Sequence, residues 1–244
     1  MADRVAVVTG VSKGLGEAIA ADLLGRGFHV IGIGRSAAKR LDGPAFRLVV
    51  ADLADVGALG DVVGPLFDDL ATRRPAAIAV INNAAIAGPV GTIGQLEGDE
   101  IVESLAINLA APTIVADAFV RAFRSAAGDR RLINVSSGAA AGPIAGAGIY
   151  SMAKCGLEML ASAIATEQPA GGLRAITIRP GIIDTPMQQS IRSQSADRLP
   201  SLPMFKAFHE QRQLVAPDVV AAKIVERLVI GAIESGRVYS YAEL

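Results

Sequence analysis

"RVAVVTGVSKGLGEAIA", residues 4–20, decides how this chain folds. Its first seven residues, through Gly10, form a short valine-rich run of the kind that makes a buried strand. Gly10, Gly14 and Gly16 follow in G-x-x-x-G-x-G spacing, and an amphipathic helical pattern begins at once. Glycines in such a turn let the backbone bend sharply and approach an anionic group closely. The first N–H groups of the helix are free to stabilise a pyrophosphate placed there. The spacing departs from the commoner G-x-G-x-x-G, so it is the strand before the turn and the helix after it that carry the reading.

The same alternation continues outward. Residues 28–34, 46–52, 77–83, 131–137 and 173–181 are further short runs rich in Val and Ile, several of them ending in Gly, Asn, Asp or Ser. Helical patterns lie between them at about 14–26, 55–71, 98–126 and 150–168, with another at 217–232. Strands that are apolar throughout and separated by helices imply a parallel sheet covered on both faces. The expected fold is therefore α/β: a Rossmann-type, doubly wound parallel sheet of about seven strands in a single domain spanning 1–244. Ligands then bind at the carboxyl ends of the strands. Residues 184–216, with Pro186, Pro200 and Pro203, break the alternation and read as an irregular substrate-binding loop.

Totals narrow the function. The chain has 244 residues, 51% hydrophobic and 19% charged, enough to bury a large core. A net charge of −1 argues against nucleic acid or anionic lipid as partner. The only histidines, His29 and His209, are far apart in sequence, which leaves no histidine-rich metal site. Cys155 is the single cysteine, a pattern that fits a reducing cytoplasm and excludes a disulfide framework within the chain. The N-terminus enters a strand pattern too quickly for a signal peptide, and no apolar run approaches the roughly 18 residues of a membrane span.

"YSMAK", residues 150–154, places Tyr150 and Lys154 one turn apart on the same face of a helix. A phenol beside an ammonium is an acid–base pair. At about 4 Å the lysine charge would be worth on the order of 4 kcal/mol at an effective dielectric near 20, enough to lower the phenol toward neutrality, while burial opposes the shift. With the glycine cradle on the same chain, the sequence resembles the short-chain dehydrogenase/reductase family from Val5 to about Tyr241, closest to its sepiapterin reductase and benzil reductase branch. The likeness to that branch lies in residues 179–189, 209–228 and 234–244.

The resemblance implies roles residue by residue. Asn108, Ser137, Tyr150 and Lys154 match the catalytic tetrad, with Ser136 the weaker alternative to Ser137. Gly10, Ser12, Lys13, Gly14, Leu15 and Gly16 would bind the dinucleotide phosphates. Asp52 and Leu53 would lie at the adenine, and Asn83 and Ala84 behind the ribose. Pro180, Gly181, Ile183 and Thr185 would lie at the nicotinamide. Ala85 stands where the family motif N-N-A-G has glycine, which requires a backbone without positive φ. Where the branch anchors a pterin with an acid, this chain has Tyr239 and Ser240, with Glu243 displaced.

Three further expectations concern specificity and assembly. Gly34 occupies the place of the acid that reads a ribose 2′-hydroxyl. Arg35, Ser36 and Lys13 are instead suited to a 2′-phosphate, so the expected cofactor is NADP(H). Phe205, Phe208, Met187 and Met204 either line the pocket mouth or pack the 184–216 segment onto the body, and Cys155 is expected to face packing. From Cys155 to Thr166 the helix carries only Glu158 as a charge, which predicts a face buried in a homodimer or homotetramer. The implied activity is reduction of a small-molecule ketone or diketone. A ketoacyl-carrier-protein reductase or a non-turning-over redox sensor is the alternative.

Overall fold

The computed structural model describes residues 3–168 and 172–244. Seven parallel strands form one sheet in the order β3-β2-β1-β4-β5-β6-β7. They are β1 Arg4–Thr9, β2 His29–Gly34, β3 Phe46–Val50, β4 Ala77–Asn82, β5 Asp129–Val135, β6 Arg174–Arg179 and β7 Val238–Ser240. The chain runs outward from β1 through β2 to β3, then returns to place β4 on the other side of β1. This reversal opens a crevice at the carboxyl ends of β1 and β4, where doubly wound folds take their ligands.

Both faces of the sheet are covered. Helices α1 Gly14–Gly25 and α8 Pro217–Ile224 lie on one face, where Ala6 and Val8 of β1 pack with Ile19, Leu23 and Val220. On the other lie α2 Val56–Thr72, α4 Ala111–Phe123 and α5 Gly148–Glu167, where Val5 and Val7 pack with Leu59, Phe67 and Phe119. Alternate β1 residues thus enter opposite cores, as the two-residue strand period requires. Phe119 joins α2 to α4, with ring centroids 5.5 Å from Phe67 and 5.2 Å from Phe123.

The expected helix at 98–126 is two helices. α3 Gly98–Leu105 meets α4 through a π turn at Ala106–Ala110, and α8 likewise runs into a π turn at Val225–Ile230. By length and composition alone Gly98–Phe123 could cross a membrane, yet Val115, Ala116, Phe119 and Phe123 of this stretch are in the core. The 184–216 segment is not irregular. It contains α6 Pro186–Arg192 and α7 Leu202–Glu210, and its base is tied by Val215 N–H to Ile182 O and Asp184 N–H to Val215 O, both 2.9 Å. Leu199, Leu202 and Phe205 give it a small core of its own, shared with Val90, Ile144 and Phe208.

Candidate active site

The cradle is built by close backbone approach. Gly10 has φ +75°, and a Cβ there would stand 2.8 Å from Ala84 Cα; a Cβ on Gly16 would run into Gly10 O and the Asn83 amide. Thr9 Oγ1 accepts from the N–H groups of both Asn83 and Ala84 at 3.0 Å. Asn83 Nδ2 returns a bond to Thr9 O at 3.0 Å. The end of β4 is thereby clamped to the glycine turn, leaving room for a phosphate at the N-terminus of α1. Ala85 is not at positive φ, so alanine costs nothing there.

One cavity of about 470 Å³ runs from this cradle across the sheet ends. Gly10, Ser12, Lys13, Gly14, Leu15, Gly34, Arg35, Ser36, Asp52, Leu53, Asn83 and Ala84 line its first half. Gly16 lies beneath the turn. Lys13 and Arg35 are exposed and enter no ion pair among the described residues, whereas nearby Arg40 is engaged by Glu17 and Asp218. Asp52 turns its Oδ1 back to Ala54 N–H at 3.0 Å, and Leu53 is buried beside it. These residues fit a dinucleotide: backbone room where phosphates would lie, two uncommitted cations at the ribose end and an apolar shelf at Leu53.

The far half holds Ser137, Tyr150, Lys154, Pro180, Gly181, Ile183 and Thr185. Tyr150 enters from the first turn of α5 beside Ser137, whose Oγ accepts from Ala139 N–H at 3.2 Å. Lys154, one turn on, is 2% exposed, and its Nζ donates to Val135 O at 2.9 Å, 5.6 Å from the centre of the Tyr150 ring. Asn108 lies in the π turn. Its Oδ1 accepts from Ile86 N–H, while Nδ2 donates to Ile86 O, both at 2.9 Å, and to Ser104 Oγ. Both amide hydrogens are therefore committed, and one Oδ1 lone pair remains for a water.

The electrostatics depart from the sequence-based expectation. Burial pushes Tyr150 up to about 12, against the smaller opposing effect of the Ser137 hydrogen bond, and burial alone pushes Lys154 down to about 8. The sequence predicts that the lysine charge lowers the phenol, with burial opposing the shift. Instead burial penalises both charged forms, and the Lys154 ammonium is hydrogen-bonded to the Val135 carbonyl.

Beyond Tyr150 the cavity is walled by Ile86, Val90, Ile144, Ile191, Leu199 and Phe205. Met187 also faces it, Phe208 packs edge-on against Phe205 at 6.2 Å, and Met204 is partly exposed. Gln188 is a polar exception on the wall. Tyr239 is buried, its hydroxyl accepting from Glu234 N–H, and Ser240 and Glu243 cap the last turn. None of the three lines the cavity. Cys155, expected to face packing, is exposed.

The profile of the family described as "short chain dehydrogenase" matches residues 4–196. This chain belongs to that family. It is 32% identical over 241 residues to benzil reductase ((S)-benzoin forming) of Bacillus subtilis (strain 168), covering 97% of this chain and 98% of the relative. It is 30% identical to sepiapterin reductase of Meriones unguiculatus, covering 95% and 94%. Among solved structures, the KRED1-Pglu enzyme superposes with a TM-score of 0.84 at 29% identity, covering 96% of this chain and 99% of that one. The protein is thus an oxidoreductase of the CH–OH/C=O type that uses a nicotinamide cofactor.

For a short-chain dehydrogenase of this branch, most motif residues lie at or near a strand end or helix start, whereas Asn108 lies within a π turn and was implied only by the family resemblance. The pocket wall was not legible in the sequence. Ile86, Ile144 and Leu199 are ordinary apolar residues in separate loops and Ile191 is on α6, and only the fold brings them together.

Proposed function

We propose that this short-chain dehydrogenase is an NADPH-dependent carbonyl reductase acting on uncharged, largely apolar ketones or diketones. The observation that carries the reading is the meeting of Ser137 and Tyr150 where the dinucleotide cradle opens into an apolar cavity. When bound, the reduced dinucleotide supplies the hydride. Gly10–Gly16 and the α1 N-terminus hold its phosphates, with Lys13, Arg35 and Ser36 at the 2′-phosphate. Asp52 and Leu53 lie at the adenine. Asn83, Ala84, Tyr150 and Lys154 border the ribose, and Pro180, Gly181, Ile183 and Thr185 the nicotinamide.

Ser137 holds the substrate carbonyl oxygen by hydrogen bond, and Tyr150 gives that oxygen its phenolic proton. A phenol held near 12 is fully protonated at neutral pH, the form a reduction needs. Lys154 stabilises the phenolate left behind, and a water at Asn108 returns a proton from solvent. Against a carrier-protein substrate, Arg198, one of the few cations in the 184–216 segment, lies 3.7 Å from Glu100 and is already paired. The whole chain works as one domain, in the cytoplasm and with no nucleic acid or membrane partner, as a homodimer or a tetramer containing it.

The test is a screen of aromatic diketones, sepiapterin and acetoacetyl thioesters, followed by NADPH absorbance. Turnover of a diketone is expected, and Tyr150→Phe should cut kcat by about 10²–10⁴-fold with NADPH affinity near wild type. Retention of more than about a tenth of the activity would remove Tyr150 from its role.

A further inference from the structure

Glu158 is the only charge between Cys155 and Thr166, one turn beyond Lys154 on α5, yet its carboxylate pairs with Arg179 and not with the lysine. Arg179 Nε donates to Glu158 Oε1 at 2.8 Å and Nη2 to Oε2 at 2.7 Å, a bidentate pair. Ser136 Oγ, buried, lies 2.9 Å from the same Oε1 and 3.2 Å from Lys154 O. One carboxylate therefore gathers three segments of the site. Ser136 precedes Ser137 at the end of β5, Arg179 precedes Pro180–Gly181 at the end of β6, and Glu158 rides on the helix that carries Tyr150 and Lys154.

We propose that Glu158 and Arg179, with Ser136, form a positioning clamp that sets the catalytic helix against the two strand ends that hold substrate and nicotinamide. Geometry favours this over a surface ion pair. The Glu158 side chain is only 14% exposed, and a planar guanidinium meeting both carboxylate oxygens fixes orientation as well as distance. Lys154 gains as well: the one acid a helical turn away is engaged by Arg179, which leaves the ammonium on Val135 O beside the phenol. A shift of about 1 Å between proton donor and hydride acceptor can cost on the order of 10²-fold in rate without changing what binds.

The inference rests on the carbonyl-reductase reading and is tested with benzil and NADPH. Glu158→Ala should lower kcat by about ten- to a hundredfold while the KM for benzil and the Kd for NADPH move less than about threefold. Glu158→Gln, whose amide oxygen still accepts a hydrogen bond, should recover most of that loss. Wild-type kcat in Glu158→Ala, or equal losses in both variants that follow thermal stability, would overturn the clamp. If Glu158→Ala does not fold, Arg179→Lys replaces it: reduced kcat with KM kept supports the clamp, and unchanged kcat refutes it. A wild type that reduces no carbonyl would instead refute the parent reading. The clamp is then judged by amide exchange at 135–138 and 179–183, where unchanged protection in Glu158→Ala and Arg179→Lys rejects it.

Discussion

Lys154 is taken out of water without an acid to balance it. Its native pKa near 8 lies below the ordinary 10.5, so between these values the unfolded chain binds one more proton than the native one. Stability of the cofactor-free protein should therefore rise with pH from 8 to 10.5, by up to about 3 kcal/mol. Tyr150 acts in the opposite sense. The unfolded phenol ionises near 10 and the native one near 12, so above pH 10 its contribution is lost and offsets the gain. Urea denaturation at pH 7, 8 and 9 should show the rise in the wild type, and Lys154→Met should flatten it while raising stability at pH 7. A second residue-scale prediction concerns Gly34 and Arg35. A Cβ at Gly34 would meet nothing closer than 3.9 Å, so an acid fits there. The wild type should prefer NADPH over NADH by at least about tenfold in kcat/KM, less at high salt. Replacing Gly34 by Asp and Arg35 by Ala together should move the preference toward NADH; equal use of both cofactors by the wild type would show that the cations do not read the phosphate.

At the scale of elements, Asn108 explains the π turn between α3 and α4. Its amide pairs with the backbone of Ile86 as a neighbouring strand would, and so holds the segment 83–87 that lines the cavity. Asn108→Ala leaves the Ile86 N–H and C=O without these partners and should cost about 1–3 kcal/mol for each group that stays dry, seen as a lower urea midpoint. The sequence shows only an unbroken helical pattern across 98–126, because the partner that widens the turn lies 22 positions upstream. The prolines of 184–216 misled for the opposite reason. Pro186 and Pro203 occupy first-turn positions of α6 and α7, where a missing N–H costs nothing, so they start helices rather than preclude them.

For the whole molecule, the outer face of α5 is the decisive surface. Met159 is 69% exposed and Met152 51%, and Val102 of α3 is 67% exposed. An apolar helix face of this kind is expected to be covered by a second copy across a two-fold axis. Light scattering at micromolar concentration should give a dimer or tetramer, and Met159→Arg should shift it toward monomer; a stable wild-type monomer would refute the assembly.

The alternation of strands and helices and the glycine cradle were determined by the sequence alone, because they depend on local periodicity and on spacings within single βα units, whereas the tetrad was implied by the family resemblance. The glycine turn, the alternation of apolar runs and the helical pattern from about 150 all follow from rules that act over a few residues. Only tertiary structure decided the rest. It assigned Ser136 to Glu158 rather than to substrate, and it made burial outweigh the lysine charge at Tyr150. It also assembled the pocket wall from three loops and α6. Desolvation and long-range pairing depend on what surrounds a group in space, and that neighbourhood exists only once the sheet has closed.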